Sequence, residues 1–417
     1  MKIRFVSSLF VLLTICLKAN ADSGTWLPNP ANNEWNNPAN WSSGTVPGSA
    51  DVATFAQSTE TSLTDSGVPI LSGIAFAPGA SSYTTTLAGE NQNGLTCRGN
   101  VTNDSGVAQN FVVEPGTSFN LFNFPNEPAP TVDERVTFTM QAGGGVFLFE
   151  GTANGGAGTF INEGGSSAGQ SGGFLEVIGI ATAGEGTIVN RGATAAGAEG
   201  GRTTFVQQFP SAKNATLVAE AGSNGGQGGT IAFYDASTGG TSRAEVFGNG
   251  YLDISPRSGA GGASMTIGSL EGDGQVYLGR QTLIVGSNNL DTTFAGVLHP
   301  GGPAGGSGGG AFSKIGTGML TLSGPNLYTA GTTVSAGTLV VSNTIGSGTG
   351  PGAVSVNAGT LGGKGTVAGA VTLGMGSGAG AFLAPAHGTK QQASLTSLSG
   401  LTFKADSTYT CTFKAKG

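Results

Sequence analysis

Charge is scarce in this chain. Only 10% of its 417 residues are Asp, Glu, Lys or Arg, against about 25% in an average globular protein. The 17 basic residues form no stripe and are outnumbered by 24 acids, which excludes a nucleic-acid or anionic-lipid surface. Histidine is rarer still: there are two, His299 and His387, too few for a chance catalytic triad. Three cysteines exclude both a disulfide framework and a multi-cysteine zinc site. Helical periodicity is missing as well. The chain holds 76 glycines, and each costs about 1 kcal/mol at a helical position relative to alanine. They lack the three-residue period of collagen. With 38% hydrophobic residues the chain also lacks the low-hydrophobicity, high-charge signature of disorder. What remains is an all-β chain with a turn every few residues.

The N-terminus reads as a secretory leader. Lys2 and Arg4 precede an apolar stretch over residues 5–17, and Ala19-Asn20-Ala21 fits the small-residue cleavage pattern. The apolar stretch is too short for a membrane span, which needs about 20 residues. The bulky Ile15 before Cys16 argues against a lipoprotein site. Cleavage after Ala21 removes three of the 17 basic residues and no acid, leaving 14 against 24, a net −10. Cys97 and Cys411 stay in the mature chain, far apart, and are expected to be unpaired.

Residues 22–69 hold all three tryptophans, Trp26, Trp35 and Trp41. Two roles fit them: a cap over the first rung of a stacked β fold, whose bare edge would invite aggregation, or a platform for sugar rings. The cap is the favoured one. Less regular strands follow, around Ile74, Tyr83 to Leu87, and Phe111 to Val113. Residues 119–130 contain Pro125, Pro128 and Pro130, which predicts a loop leaving the stack.

A repeat occupies residues 158–250. Gly158-Thr159-Phe160-Ile161-Asn162 recurs as Gly186-Thr187-Ile188-Val189-Asn190, 28 positions on. The pairs Gly172-Gly173, Gly200-Gly201 and Gly228-Gly229 each precede a strand, again 28 apart. A fixed period of this size means a solenoid or an array. A propeller would need longer repeats of four strands. The repeat therefore predicts parallel strands stacking coil on coil, with Val177, Phe205 and Phe233 as one inward column and Ile161, Val189 and Leu217 as another. Asn162 and Asn190 are expected to pair as a short ladder at a turn. At about 25 residues per coil and about 4.8 Å per rung, the mature chain makes a rod of roughly 75 Å. Residues 267–279 read as two strands around a tight turn.

The most regular stretch is 314–343. It contains Leu320-Thr321-Leu322-Ser323-Gly324, then Asn326, Tyr328, Thr332 and Val334, then Ala336-Gly337-Thr338-Leu339. Leucines alternate with threonines, so the leucines are expected inside and the threonines in water. This stretch resembles the autotransporter-associated β-strand repeat. The resemblance implies a right-handed parallel β-helix (β-solenoid) passenger on Gram-negative-type cells, secreted or held at the cell surface in an adhesin-like role. A membrane barrel or sorting tail often follows in that family. The expected division is thus a leader over 1–21, a Trp-rich cap region over 22–69, a solenoid over 70–313, the family-like repeat over 314–343 and further rungs over 344–417. The last rung reads as uncapped, which favours a chain cut short.

No stretch gathers the side chains that catalysis or metal binding needs. Asp235, Asp253, Asp273 and Asp291 are isolated along the sequence, and Asp133-Glu134-Arg135 reads as a solvated loop. His299 and His387 lie among glycines. Residues 305–309 match a nucleophile elbow only formally, lacking a strand-to-helix context, and Gly272-Asp273-Gly274 lacks the full calcium nonapeptide. No catalytic, cofactor-binding or metal-ligating residue is named. The expectation is a non-catalytic exported structural passenger making adhesion or matrix contacts, with an extracellular glycan or matrix surface as partner, no nucleic acid, and no transmembrane segment in the mature chain. The alternative is a glycan-binding or polysaccharide-degrading β-helix protein.

Overall fold

The computed structural model describes residues 23–411, apart from 68, 90–93, 124–126, 149–150, 259–262, 304, 306–307, 386 and 388–392. The leader and its cleavage site after Ala21 lie outside the described residues, as do Thr412 and Phe413 of the last expected rung.

Strands of two to five residues stack into a parallel β-solenoid. One face is a 15-stranded sheet running from Ser62–Asp65 through Thr159–Asn162, Thr187–Asn190 and Thr216–Ala219 to Ser407–Tyr409. A second is a 10-stranded sheet from Ile70–Leu71 to Val297–His299. The third begins as the 3-stranded sheet Val52–Phe55, Gly73–Phe76, Val101–Asn103. It continues as single bridges through Val132 and along Asn154, Thr182, Ser211 and Thr238. A 7-stranded sheet, Ser264–Ile267 to Leu401–Phe403, follows. This is a solenoid, not a propeller, because each coil pairs only with the coils above and below it.

The interior is built by like stacking on like. Phe111, Phe138 and Phe160 lie in successive rungs with ring centroids 4.9 and 5.5 Å apart. The expected column of Val177, Phe205 and Phe233 is in register, and the two phenylalanines stack at 4.4 Å. Full burial of each such side chain contributes about 1.5–3 kcal/mol. The glycine pairs are what lets the chain turn so close to its neighbours. A Cβ added at Gly200 would lie 2.2 Å from the Gly228 carbonyl oxygen, and one at Gly201 2.0 Å from that of Asn162.

Several expectations need correction. The second column is Phe160, Ile188, Leu217 and Ala244, whereas Ile161 and Val189 pair with Val218 on the outer side. The strands of Phe160, Ile188 and Leu217 each carry adjacent apolar residues, so alternation alone does not decide the face, and an offset of one flips it. Asn162 and Asn190 do pair, Nδ2 donating to Oδ1 at 2.7 Å, but in the buried interior and with Thr203 as third member rather than at a turn. Ser118–Leu121 is a rung with Phe119 and Leu121 buried, so the loop begins later than residue 119. The stack also begins before residue 70, with Val52–Phe55 and Ser62–Asp65 already paired into it. The two strands expected around a tight turn over residues 267–279 are present, as Ser269–Gly272 and Gln275–Tyr277, and that turn is a corner between two sheets.

Candidate functional site

The tryptophans are not a surface. Trp26, Trp35 and Trp41 are 0, 0 and 2% exposed. They pack edge to face at 5.2–5.3 Å and continue through Phe55 into the core. They close the N-terminal end, and a sugar platform made of them is ruled out.

The outer face of the 10-stranded sheet gathers the polar aromatic residues instead. Register places Glu176, Thr204, Ala232, Asp253, Tyr277 and His299 in one file. Phe174, Arg202, Thr230, Tyr251 and Gln275 stand in the next. The rings interlock. Tyr251 meets Tyr277 edge-on at 5.6 Å, Tyr277 stacks on His299 at 4.8 Å, and the Arg202 guanidinium sits 5.1 Å over Phe174. His299 Nε2 is 2.7 Å from Gln275 Oε1. Tyr234, at the end of its strand, is 37% exposed. Burial, then the nearby Asp253 and Tyr251, push its phenol pKa up, with Arg202 opposing. Burial raises the Asp253 carboxyl, which accepts from the Ser255 N–H at 2.9 Å, and lowers His299 below its usual value.

The face is thus half aromatic and half hydrogen-bonding, along two adjacent files. Tyr277 and His299 cover each other's ring faces, so they offer edges, a hydroxyl and ring nitrogen; Tyr234 offers exposed ring. Two acids in the file suggest a hydrolytic pair, but Glu176 and Asp253 are three rungs apart. At about 4.8 Å per rung that is about 14 Å, beyond the roughly 5–9.5 Å of a glycosidase pair.

The other candidates from the sequence are dispersed. Asp235 accepts from Gln207 N–H, Asp273 from Gly248 N–H and Asp291 from Met319 N–H, so each holds a turn. Asp133 accepts from Asn103 N–H, while Glu134 and Arg135 form an exposed pair at 3.5 Å. An open groove of about 360 Å³ beside Glu271 and Asp291 has its Glu271 held by Arg243 through two bonds of 2.6 and 2.8 Å. Cys97 is a buried free thiol pushed up to about 12 by desolvation, Cys411 is a free exposed one, and His387 is exposed. His299 proves to end the strand Val297–His299 and not to sit in a glycine loop. The aromatic file was missed. Its signal was an aromatic or imidazole just before a turn at 277 and 299, with Asp253 one rung earlier, steps of 24 and 22.

The stretch over residues 314–343 acquires a physical account. Asn326 is 2% exposed and bridges coils, accepting from Leu298 N–H at 2.9 Å and donating to Gly348 O at 2.7 Å. Tyr328 OH lies 2.6 Å from Thr332 Oγ1, both buried, so Thr332 faces inward and not into water. Lys314, 1% exposed, donates to the carbonyls of Ile315 and Gly316.

Residues 312–341 match the family model described as passenger-associated-transport-repeat. No curated protein and no solved structure matches the chain. The match covers four strands, alternating between the 7-stranded and 15-stranded sheets. A passenger-associated repeat built into a parallel β-solenoid fits an autotransporter passenger domain.

Proposed function

We propose that this chain is an exported, non-catalytic passenger-type protein that contacts extracellular polysaccharide through the outer face of its 10-stranded sheet. The observation that carries this is the cluster of Tyr277 and His299 in one file, Tyr251 in the next and the exposed Tyr234 just past its strand, set among Gln275, Asp253 and Arg202 on a rigid stack. Sugars present apolar ring faces and hydroxyl rims. A surface of aromatic edges with hydrogen-bonding tips suits both. Export rests on the leader that ends at Ala21 and on the passenger-associated repeat, and the cell surface is the proposed site of action.

Retention on insoluble polysaccharides tests the contact. Wild-type protein is expected to be retained, and Tyr234→Ala and Tyr277→Ala to lose retention about tenfold, while Trp35→Ala, a buried cap residue, keeps its retention per folded molecule. Equal retention of all four would overturn the proposal. N-terminal sequencing of the exported protein checks cleavage after Ala21.

A further inference from the structure

Where the 10-stranded sheet ends, an open cavity of about 420 Å³ lies beside it. Ser255, Arg257, Arg280, Gln281 and glycines of the 301–308 segment line it. Arg257 is 4% exposed. Its Nε donates to Ser237 O at 3.0 Å, and its Nη1 to Ser264 O at 2.7 Å and Gln281 Oε1 at 3.5 Å. Every one of these acceptors is neutral. Among the described residues no carboxylate pairs with it. Asp235, whose backbone bridges to that of Arg257, accepts from Gln207 N–H, and Asp253 accepts from Ser255 N–H. Desolvation alone lowers the Arg257 pKa, with no acidic group acting against it. A second cation, Arg280, stands exposed on the same wall and makes no hydrogen bond or ion pair among the described residues.

A buried charge without a counter-charge is costly. It is unusual here, because acids outnumber basic residues by 24 to 17. Guanidinium groups match the planar oxygens of carboxylate, sulfate and phosphate. Gly279 and Gly301 lie two residues beyond Tyr277 and His299, the last residues of their strands, so the cavity adjoins the end of the aromatic file. We propose that this cavity is an oxyanion site, held by Arg257 and Arg280, that takes the carboxylate or sulfate group of an acidic polysaccharide. The polysaccharide part rests on the reading of the aromatic face given above; the oxyanion part does not.

Titration calorimetry with sodium sulfate against a sodium chloride reference of equal ionic strength tests the cavity. Polygalacturonate and a neutral galactan test the source of the anion. Sulfate and polygalacturonate are expected to bind. Arg280→Ala should weaken both at least about tenfold, the loss of one charge-assisted bond. Arg257→Lys, which keeps the charge but not the fork, should do the same; if circular dichroism shows it unfolded, Arg280→Ala decides alone. Tyr277→Ala should reduce galactan binding and leave sulfate binding intact. Sulfate binding without polygalacturonate binding would overturn the polysaccharide source and leave a site for a free inorganic anion. No sulfate binding, or unchanged binding in Arg280→Ala, would overturn the site itself.

Discussion

Lys314 makes stability depend on pH in a direction opposite to that of most buried acids. Its ammonium is sealed inside the matched repeat, with two backbone carbonyls as partners. Desolvation lowers its pKa from 10.5 to about 8, with Asp291 pulling the other way. A base lowered in the folded state binds its proton less tightly there than in the unfolded chain. Below pH 8 both states are protonated and the folded state bears the full cost. Between pH 8 and 10.5 only the unfolded chain holds the proton, so stability rises with pH. At 1.36 kcal/mol per pK unit the total is about 3 kcal/mol, of which about 1 kcal/mol is gained between pH 8 and 9. Cys97 acts oppositely. Its thiol is raised from 9.0 to about 12, so its contribution is complete below pH 9 and is lost as pH rises toward 12. The two are separated by comparing wild type with Lys314→Met. Urea unfolding followed by circular dichroism, from pH 7 to 10.5, should show the wild type gaining about 3 kcal/mol relative to the variant. A difference that stays constant within about 0.3 kcal/mol across that range would refute the reasoning.

Three further outcomes follow from the packing. Gly201→Ala should cost several kcal/mol in thermal unfolding, because its Cβ would lie 2.0 Å from Asn162 O; Gly169→Ala, with φ +78° but open space around it, should cost only about 1–2 kcal/mol. Asn190→Leu removes the acceptor of both Asn162 Nδ2 and Thr203 Oγ1 and should cost about 1–3 kcal/mol, part of it regained in the Asn162→Leu, Asn190→Leu double variant. Trp35→Ala should cost about 3–5 kcal/mol and increase amide exchange first in residues 52–76, the rungs beneath the cap.

The stack itself was legible in the sequence because its cause is local. Four-residue strands, glycine pairs and a 28-residue step each leave a mark in the chain, and Thr159, Thr187 and Gly200 sit where that step puts them. Parity was not legible at Phe160-Ile161, where both residues are apolar and only the packing of the larger ring inside decides. Buried polar groups were least legible. Thr332 looks like any solvent-facing threonine until Tyr328 is brought to it. Arg257 has an ordinary sequence context, and its burial arises from Ser237 and Gln281, 20 and 24 residues away on neighbouring coils, and from Ser264 further along its own coil. The aromatic face is of the same kind. Tyr251, Tyr277 and His299 become neighbours only through register.

These buried polar groups also bear on how a repetitive chain finds one register. Coils of near-equal length and similar composition can pair one rung out of place with little loss of apolar contact. In the native register Asn162 faces Asn190 and Asn190 faces Ala219. A slip of one coil would set Asn162 against Ala219 and remove the acceptor its amide uses. Asn326 is tied to Leu298 below and Gly348 above, so a slip there breaks two bonds at once. Each unsatisfied buried group costs about 1–3 kcal/mol, and a slip shifts every rung beyond it, so the penalties accumulate along the stack. Hydrophobic columns thus supply cohesion, and a few interior amides and hydroxyls supply position. With the interior committed to register, the two proposed contacts, the aromatic file and the Arg257 cavity, lie on an outward face and at a corner between sheets, away from the columns that set it.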